Sequence, residues 1–385
     1  MNNVHINMNE FTNASRVLKQ VNSLSNNKIF EKITIIALGS EKLKEYEKIS
    51  DEIELYRIRL LTRNLPKGLF FQLIKYLEFF IRTLLILFKI KPKVINAHAL
   101  SVLPFAIFAK YFLKALVVYD AHELETEQSA GLTLRKRLSK WLEKKLIHKV
   151  DMMLVVSESI ADWYVAEYDI SRPVVVLNAP KRRGLKTNNH FREQLAIGDE
   201  QIILLYQGGL FAERGVQLIL DAFKARSDNK IVGVFMGYGE LEQDIKNAAS
   251  ERNNIFFFPA VPPQVVLEYT SSADMGIHLI QNTCLNHDYC MPNKLFEYSM
   301  AGLPVLVSNM KDMSELVLKN NMGAVISDFS AKGINQAIDE FLNQNLTIMK
   351  KNAYNMASEN SWEIQEQAML GAYKKMFELK GSKCK

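Results

Sequence analysis

Three loops concentrate the residues able to do chemistry, and each follows an apolar run. The first is Tyr206-Gln207-Gly208-Gly209-Leu210-Phe211-Ala212-Glu213-Arg214-Gly215. Adjacent glycines let backbone come close to a ligand. A helix opening after Gly215 offers unpaired N–H groups to an anion, and Arg214 adds a fixed charge with a planar fork of donors. The second, Phe235-Met236-Gly237-Tyr238-Gly239-Glu240, permits a tight turn but lacks the third glycine of a dinucleotide fingerprint. The third runs from Cys290 through Met291-Pro292-Asn293-Lys294-Leu295-Phe296-Glu297-Tyr298 to Gly302-Leu303-Pro304-Val305. Pro292 suits a helix start because no backbone donor is needed there. Asn293 and Lys294 then present first-turn amides to an anion, and the Glu297 carboxylate, one turn on, can accept hydrogen bonds from hydroxyls. These are donors for a diphosphate and an acceptor for a sugar diol. The same residues also describe a well-capped core helix with Glu297 at the surface.

His122 lies in Tyr119-Asp120-Ala121-His122-Glu123, just past an apolar run. At a strand end its ring would point toward a ligand, although a lone histidine is more often a hydrogen-bonded core residue. His98 follows another short run and is a weaker candidate, for acceptor binding. Cys284, His287, Asp288 and Cys290 lack the spacing of a closed zinc site and have no second ligand pair elsewhere, so no metal is expected from them.

Such residues need strand ends and helix starts to hold them. Runs rich in Val and Ile read as strands at 33–38, 94–96, 116–119, 152–156, 174–177, 202–206, 231–236, 255–258, 275–279 and 304–307. Amphipathic stretches such as 134–149 and 216–224 lie between them. Strands alternating with helices mean a mostly parallel sheet covered by helices. Asn178 to Asn189 has the composition of a linker, with a strand series on either side. Two doubly wound domains follow, with ligands beyond the carboxyl ends of the strands and a cleft between the domains as the expected site.

The chain has 385 residues, of which 48% are apolar and 23% charged, the profile of a globular protein rather than a disordered one. A net charge of +6 is too mild to argue for nucleic acid. Cys284, Cys290 and Cys384 form an odd, sparse set that favours a reducing compartment over a disulfide scaffold. The first residues have neither the basic region nor the apolar core of a secretory signal. Leu69 to Ile90 is apolar but interrupted by Lys75, Glu78, Arg82 and Lys89, which argues against a membrane span. Burial in a domain core is the commoner fate of such a helix; a helix lying on a lipid surface is the alternative.

Taken in order, the three loops resemble the nucleotide-sugar half of the retaining GT-B glycosyltransferases of family 4. Pro-Asn-Lys-Leu-Phe-Glu-Tyr followed by Gly-Leu-Pro-Val is similar to a signature of members that build bacterial surface polysaccharides. The match is clear from about Tyr206 to Val307. In the first half it is thinner. There Asn13 to Leu18 resembles the family's opening loop and helix, and Tyr119 to Glu123 resembles an acceptor-side motif. Two positions depart from the pattern. The second glutamate of the family's pair matches Glu297, but the first falls on Tyr289, and the family's loop arginine falls on Gly209 while its lysine falls on Arg214.

The resemblance implies two Rossmann-like α/β domains facing a central cleft. An acceptor-binding domain would span 1–180, a nucleotide-sugar domain 181–362, and a C-terminal helix at 363–385 would pack back toward the first domain. It implies transfer of a sugar from a nucleoside diphosphate to a hydroxyl of a lipid-linked glycan, without cofactor or metal. Gly208, Gly209, Arg214, Tyr238, Val261, Tyr289, Pro292, Asn293, Lys294, Leu295 and Glu297 would line the donor site. His122, Arg214 and Glu297 would carry catalysis, and His98, Asn13 and Glu123 would face the acceptor. The protein would be cytoplasmic, with the basic and aromatic surface of its first domain on the inner face of the membrane. A catalytically silent GT-B partner and a GT-B sugar-nucleotide epimerase are the alternatives.

Overall fold

A computed structural model describes residues 1–12, 14–129, 131 and 133–381. Asn13, expected on the acceptor side, and Cys384 lie outside the described residues. The chain forms two compact units, Met1–Val176 with Glu366–Lys385, and Leu177–Gln365.

The first unit holds eight strands: β1 (Asn2–Asn7), β2 (Lys32–Leu38), β3 (Tyr46–Lys48), β4 (Ile53–Ile58), β5 (Val94–His98), β6 (Leu116–Asp120), β7 (Met152–Val155) and β8 (Val174–Val175). Their order is β3-β4-β2-β1-β5-β6-β7-β8, parallel except for β3 on β4. The chain therefore builds outward in one direction from β1 and in the other from β5, and the order reverses between those two strands. β1 reads Asn-Asn-Val-His-Ile-Asn, and its residues from Asn3 on are buried. Val4 and Ile6 alternate with Asn3, His5 and Asn7, so one face of this central strand is apolar and the other polar.

Helix Leu69–Ile90 departs from the core expectation. It buries only Phe79, Thr83 and Leu87, and exposes Leu69, Phe70, Leu73, Leu77, Ile81, Leu85 and Phe88. Spacings near four residues put these side chains on one stripe of the helix. The neighbouring helix Leu103–Leu113 extends the stripe with Phe108, Tyr111 and Phe112, through ring contacts such as Phe80 to Phe108 and Phe88 to Phe112. Helix Leu134–Leu146 leaves Leu134, Leu138 and Trp141 exposed. Its one fully buried side chain is Glu143, which accepts hydrogen bonds from the Tyr119, Tyr164 and Tyr168 hydroxyls at 2.8, 2.8 and 2.9 Å. No described helix is long and apolar enough to cross a membrane.

The second unit has six strands: β9 (Ile202–Gly209), β10 (Ile231–Tyr238), β11 (Ile255–Pro259), β12 (Met275–His278), β13 (Val305–Ser308) and β14 (Gly323–Ile326). The order β11-β10-β9-β12-β13-β14 is parallel throughout and reverses between β9 and β12. Both faces are covered, as all-parallel sheets require. Leu205, Val234 and Val305 face one core layer, and Leu204, Phe235 and Leu306 face the other. Every apolar run read as a strand above is one. The sequence reading missed β1, β3, β4 and β14.

Candidate functional site

In the second unit the chemistry gathers where β9 and β12 end, at the reversal of strand order, the position at which open parallel sheets bind ligands. Gly208, the last residue but one of β9, has φ +119°, a conformation that disfavours a side chain, and a Cβ there would collide with the Lys294 side chain. Lys294 thus lies across the bare backbone of Gly208. Gly215, at φ +70°, starts helix Val216–Ala225, and a Cβ there would strike the Leu279 carbonyl just past β12. A side chain at Gly208 would displace the Lys294 side chain, and one at Gly215 would meet backbone that cannot give way as easily.

Burial first, and then the Arg214 charge, lower the Lys294 ammonium to about 8, with Glu297 acting against both. His278 ends β12, fully buried, and neither ring nitrogen has a hydrogen-bond partner among the described residues. Burial, with Lys294 and Arg214 nearby, holds its pKa well below the ordinary histidine value. Arg214 itself is exposed at the end of a short 3₁₀ turn. Arg214 and Lys294 thus lie within electrostatic reach of each other and of the His278 ring, and each cation disfavours a charge on its neighbours.

Glu297 is held from behind. The Gln207 side-chain amide donates to its carboxylate at 2.6 Å, and the Gln207 carbonyl accepts from the Thr270 hydroxyl at 2.7 Å. The Gln207 backbone N–H donates to the Tyr298 hydroxyl at 2.9 Å. Helix Asn293–Met300 begins at Pro292 with no side-chain cap, which leaves the Asn293 and Lys294 amides uncapped by any side chain. Leu295 departs from its expected role: its side chain is fully buried in the core and its N–H donates to the Pro292 carbonyl at 3.1 Å. Tyr238 is exposed at the end of β10, and Val261 is half-buried against the core. Tyr289 is half-buried, with the Lys311 ammonium 5.2 Å from its ring centre.

In the first unit a buried polar cluster sits at the other reversal of strand order, between β1 and β5. Arg16 pairs with Asp120 at 2.7 Å, and the Gln20 amide donates to the same carboxylate at 2.8 Å. His98 Nδ1 and His122 Nε2 face Asp120 Oδ2 at 3.1 and 3.0 Å. Burial opposes the Asp120 charge, yet Arg16 and His122 hold its carboxyl well below the usual range. His98, expected to meet an acceptor, is fully buried and presents no surface. The His122 side chain is 30% exposed, and Glu123 is exposed and accepts from Gln128 at 3.0 Å. Among the described residues, His98, Asp120 and His122 are the group close enough to share a cation. The Asp120 charge is already matched by Arg16, which weakens that carboxylate as a metal ligand.

Two family models tile the chain: Glycosyltransferase Family 4 matches residues 31–179, and Glycosyl transferases group 1 matches residues 187–360. The chain belongs to the family 4 glycosyltransferases. Alpha-monoglucosyldiacylglycerol synthase of Streptococcus pneumoniae is 22% identical over 245 residues, covering 60% of this chain and 54% of that protein. Lipopolysaccharide 1,2-N-acetylglucosaminetransferase of Salmonella typhimurium is 25% identical over 256 residues, covering 62% of this chain and 65% of that protein. The matched stretch spans between about half and two-thirds of these curated relatives. HepE of Anabaena, solved in complex with UDP, superposes with a TM-score of 0.70 at 14% identity, over 97% of this chain and 100% of that one. That likeness establishes two Rossmann-like units of the GT-B type.

Within this family 4 chain, sequence reasoning passed over His278, Gln207 and Thr270 in the second unit, and Arg16, Gln20 and His5 in the first. Gln207 lies inside the glycine loop already singled out. His278 carried a weaker signal, a lone polar residue closing an apolar strand. The first-unit residues sit in segments with no apolar run to mark them.

Proposed function

We propose that this chain moves a sugar, with retention of anomeric configuration, from a nucleoside diphosphate to a hydroxyl of a lipid-linked acceptor. The observation that carries the reading is the cluster of Arg214, Lys294 and His278 at the β9–β12 reversal, beside two helix starts and the oriented Glu297. A departing diphosphate develops negative charge. Fixed cations and uncapped amides stabilise that charge with little reorganisation. Glu297, held by Gln207, accepts from the ribose diol. The bond from the anomeric carbon to the phosphate oxygen breaks, a bond to the acceptor oxygen forms on the same face, and the acceptor proton leaves on the diphosphate. His122 orients the reacting sugar. Uridine is the base favoured here, because HepE was solved with UDP. The exposed Leu, Phe and Trp of the first unit, interleaved with Lys and Arg, fit the surface of an anionic membrane, where a lipid-linked acceptor resides.

Thermal shift across a nucleotide panel tests the donor side. UDP should raise the unfolding temperature, and Arg214→Ala should weaken binding by roughly 1.5–3 kcal/mol, the range for a hydrogen bond to a charged group. No shift with any nucleotide would sink the proposal. A shift without sugar transfer to any lipid-linked acceptor would favour a catalytically silent partner, the reading that Tyr289 and Gly209 support.

A further inference from the structure

The face of the second sheet beneath helix Asn293–Met300 carries a polar layer at its strand ends. Along β12, Met275 and Ile277 belong to one core layer, so Gly276 and His278 face the other way. A Cβ on Gly276 would meet the Tyr298 ring at 2.6 Å, which sets that face under the helix. Leu205 faces the same side on β9, and so does Gln207, two residues on. Gly276 stands beside Leu205 in the register, which brings His278 to the level of Gln207.

The two side chains differ in what holds them. Gln207 is bonded at both ends of its side-chain amide, to Glu297 and to Thr270. His278 is buried with no hydrogen bond at either ring nitrogen, and among the described residues it is the one buried side chain left with two such atoms. Buried polar groups are almost always paired, and an unmade bond costs stability. Burial, with Lys294 and Arg214 in electrostatic reach, keeps the ring uncharged. A neutral imidazole still has one N–H to donate. It adds a donor to a site that already holds two cations without adding to their repulsion.

We propose that His278 is a donor-site residue: its ring N–H donates to an oxygen of the nucleotide's diphosphate, and the protein carries that hydrogen bond unmade until the nucleotide arrives. The inference rests on the transferase reading, which puts the diphosphate at this reversal of strand order. A structural histidine and a ligand-binding one then differ in sign. Removing a structural histidine breaks bonds and lowers stability. Replacing His278 with leucine removes an unsatisfied group from the core layer, so the free protein is not weakened, while the bound state loses a hydrogen bond to a charged group. Negative charge grows on the diphosphate as it departs, so the same bond is stronger in the transition state than in the ground state.

Thermal unfolding and calorimetric titration of the full-length chain, wild type against His278→Leu, test this with UDP or whichever nucleotide stabilises the wild type most. The variant without nucleotide should unfold at or above the wild-type temperature, and its Kd for the nucleotide should rise by about tenfold or more, as for loss of a hydrogen bond to a charged group. In transfer assays kcat should fall as well. An unfolding temperature that drops while affinity holds marks a structural histidine and overturns the proposal, as does a variant unchanged in both. Nitrogen-15 NMR of the histidine-labelled wild type, with His278→Gln identifying the signal, gives a second readout. The nucleotide should move the His278 N–H resonances downfield as the bond forms. Resonances that stay in place at saturation overturn the proposal, and this spectrum decides if the leucine variant fails to fold or loses stability and affinity together. A wild type that no nucleotide stabilises sinks the transferase reading and this inference with it. Equal nucleotide affinity in wild type and variant sinks this inference alone.

Discussion

A lysine laid across Gly208 beside Arg214 keeps its proton less firmly than one in water, and here burial and Arg214 bring it to about 8. A diphosphate binds the charged form, so above pH 8 nucleotide binding must take up a proton. The sign follows from linkage: affinity is flat below about 8 and falls as pH rises, approaching about tenfold per unit until the bound-state pKa is reached. Calorimetry in buffers of different ionisation enthalpy should detect that uptake, and Lys294→Met should bind more weakly and lose the dependence. A wild-type affinity that does not change above pH 8 would remove Lys294 from the phosphate site. This residue was legible in the sequence because the helix start around it has a recognisable pattern. His278 was not, since a histidine ending an apolar run reads as a core residue. Only the three-dimensional placement sets its unpaired ring beside two cations.

At the scale of elements, the parallel strands with continuous Val and Ile runs could be read from sequence because both of their faces are apolar. β1 escaped because its polar face is spent on the Asn and His of an internal network, which composition scores as loop. The helix at Leu69–Ile90 misled in the opposite direction. Its apolar content signals burial, but no described element covers most of its stripe, and apolar content alone does not say what covers a helix. If a membrane does, the stripe should tolerate charge without loss of folding and fail only in docking. Leu73 and Ile81 are 54% and 56% exposed. Taking an aliphatic side chain fully out of water contributes roughly 1.5–3 kcal/mol. Leu73→Glu with Ile81→Glu should therefore lower binding to vesicles rich in anionic lipid by at least about tenfold, with an unchanged unfolding temperature. Vesicle flotation provides the measurement. Undiminished binding would place the docking surface elsewhere.

The whole molecule divides by contact rather than by order along the chain. The last helix, Trp362–Gly381, begins in the second unit, where the Trp362 N–H donates to the Pro180 carbonyl at 2.8 Å. From Glu366 onward it belongs to the first unit. There Tyr373 and Phe377 stack edge-on against Phe30 at 6.0 and 6.1 Å, Lys380 pairs with Asp151 at 2.5 Å, and Met369, Tyr373 and Met376 are buried. A chain ended after Gln365 would uncover Phe30 and leave the buried Asn96 Oδ1 without the Tyr373 hydroxyl that donates to it. At roughly 1.5–3 kcal/mol for each large apolar side chain lost, the deficit is comparable to the total stability of an ordinary domain, about 5–15 kcal/mol. All the proposed nucleotide contacts lie between Gly208 and Glu297, inside the unit that the truncation leaves whole. The truncated chain should therefore lose amide-exchange protection across β1, β5 and β6 yet still be stabilised by UDP. Hydrogen exchange with and without nucleotide separates the cases. Protection lost in both units together would mean that the second unit cannot stand without the first, and that nucleotide affinity depends on the first unit's packing.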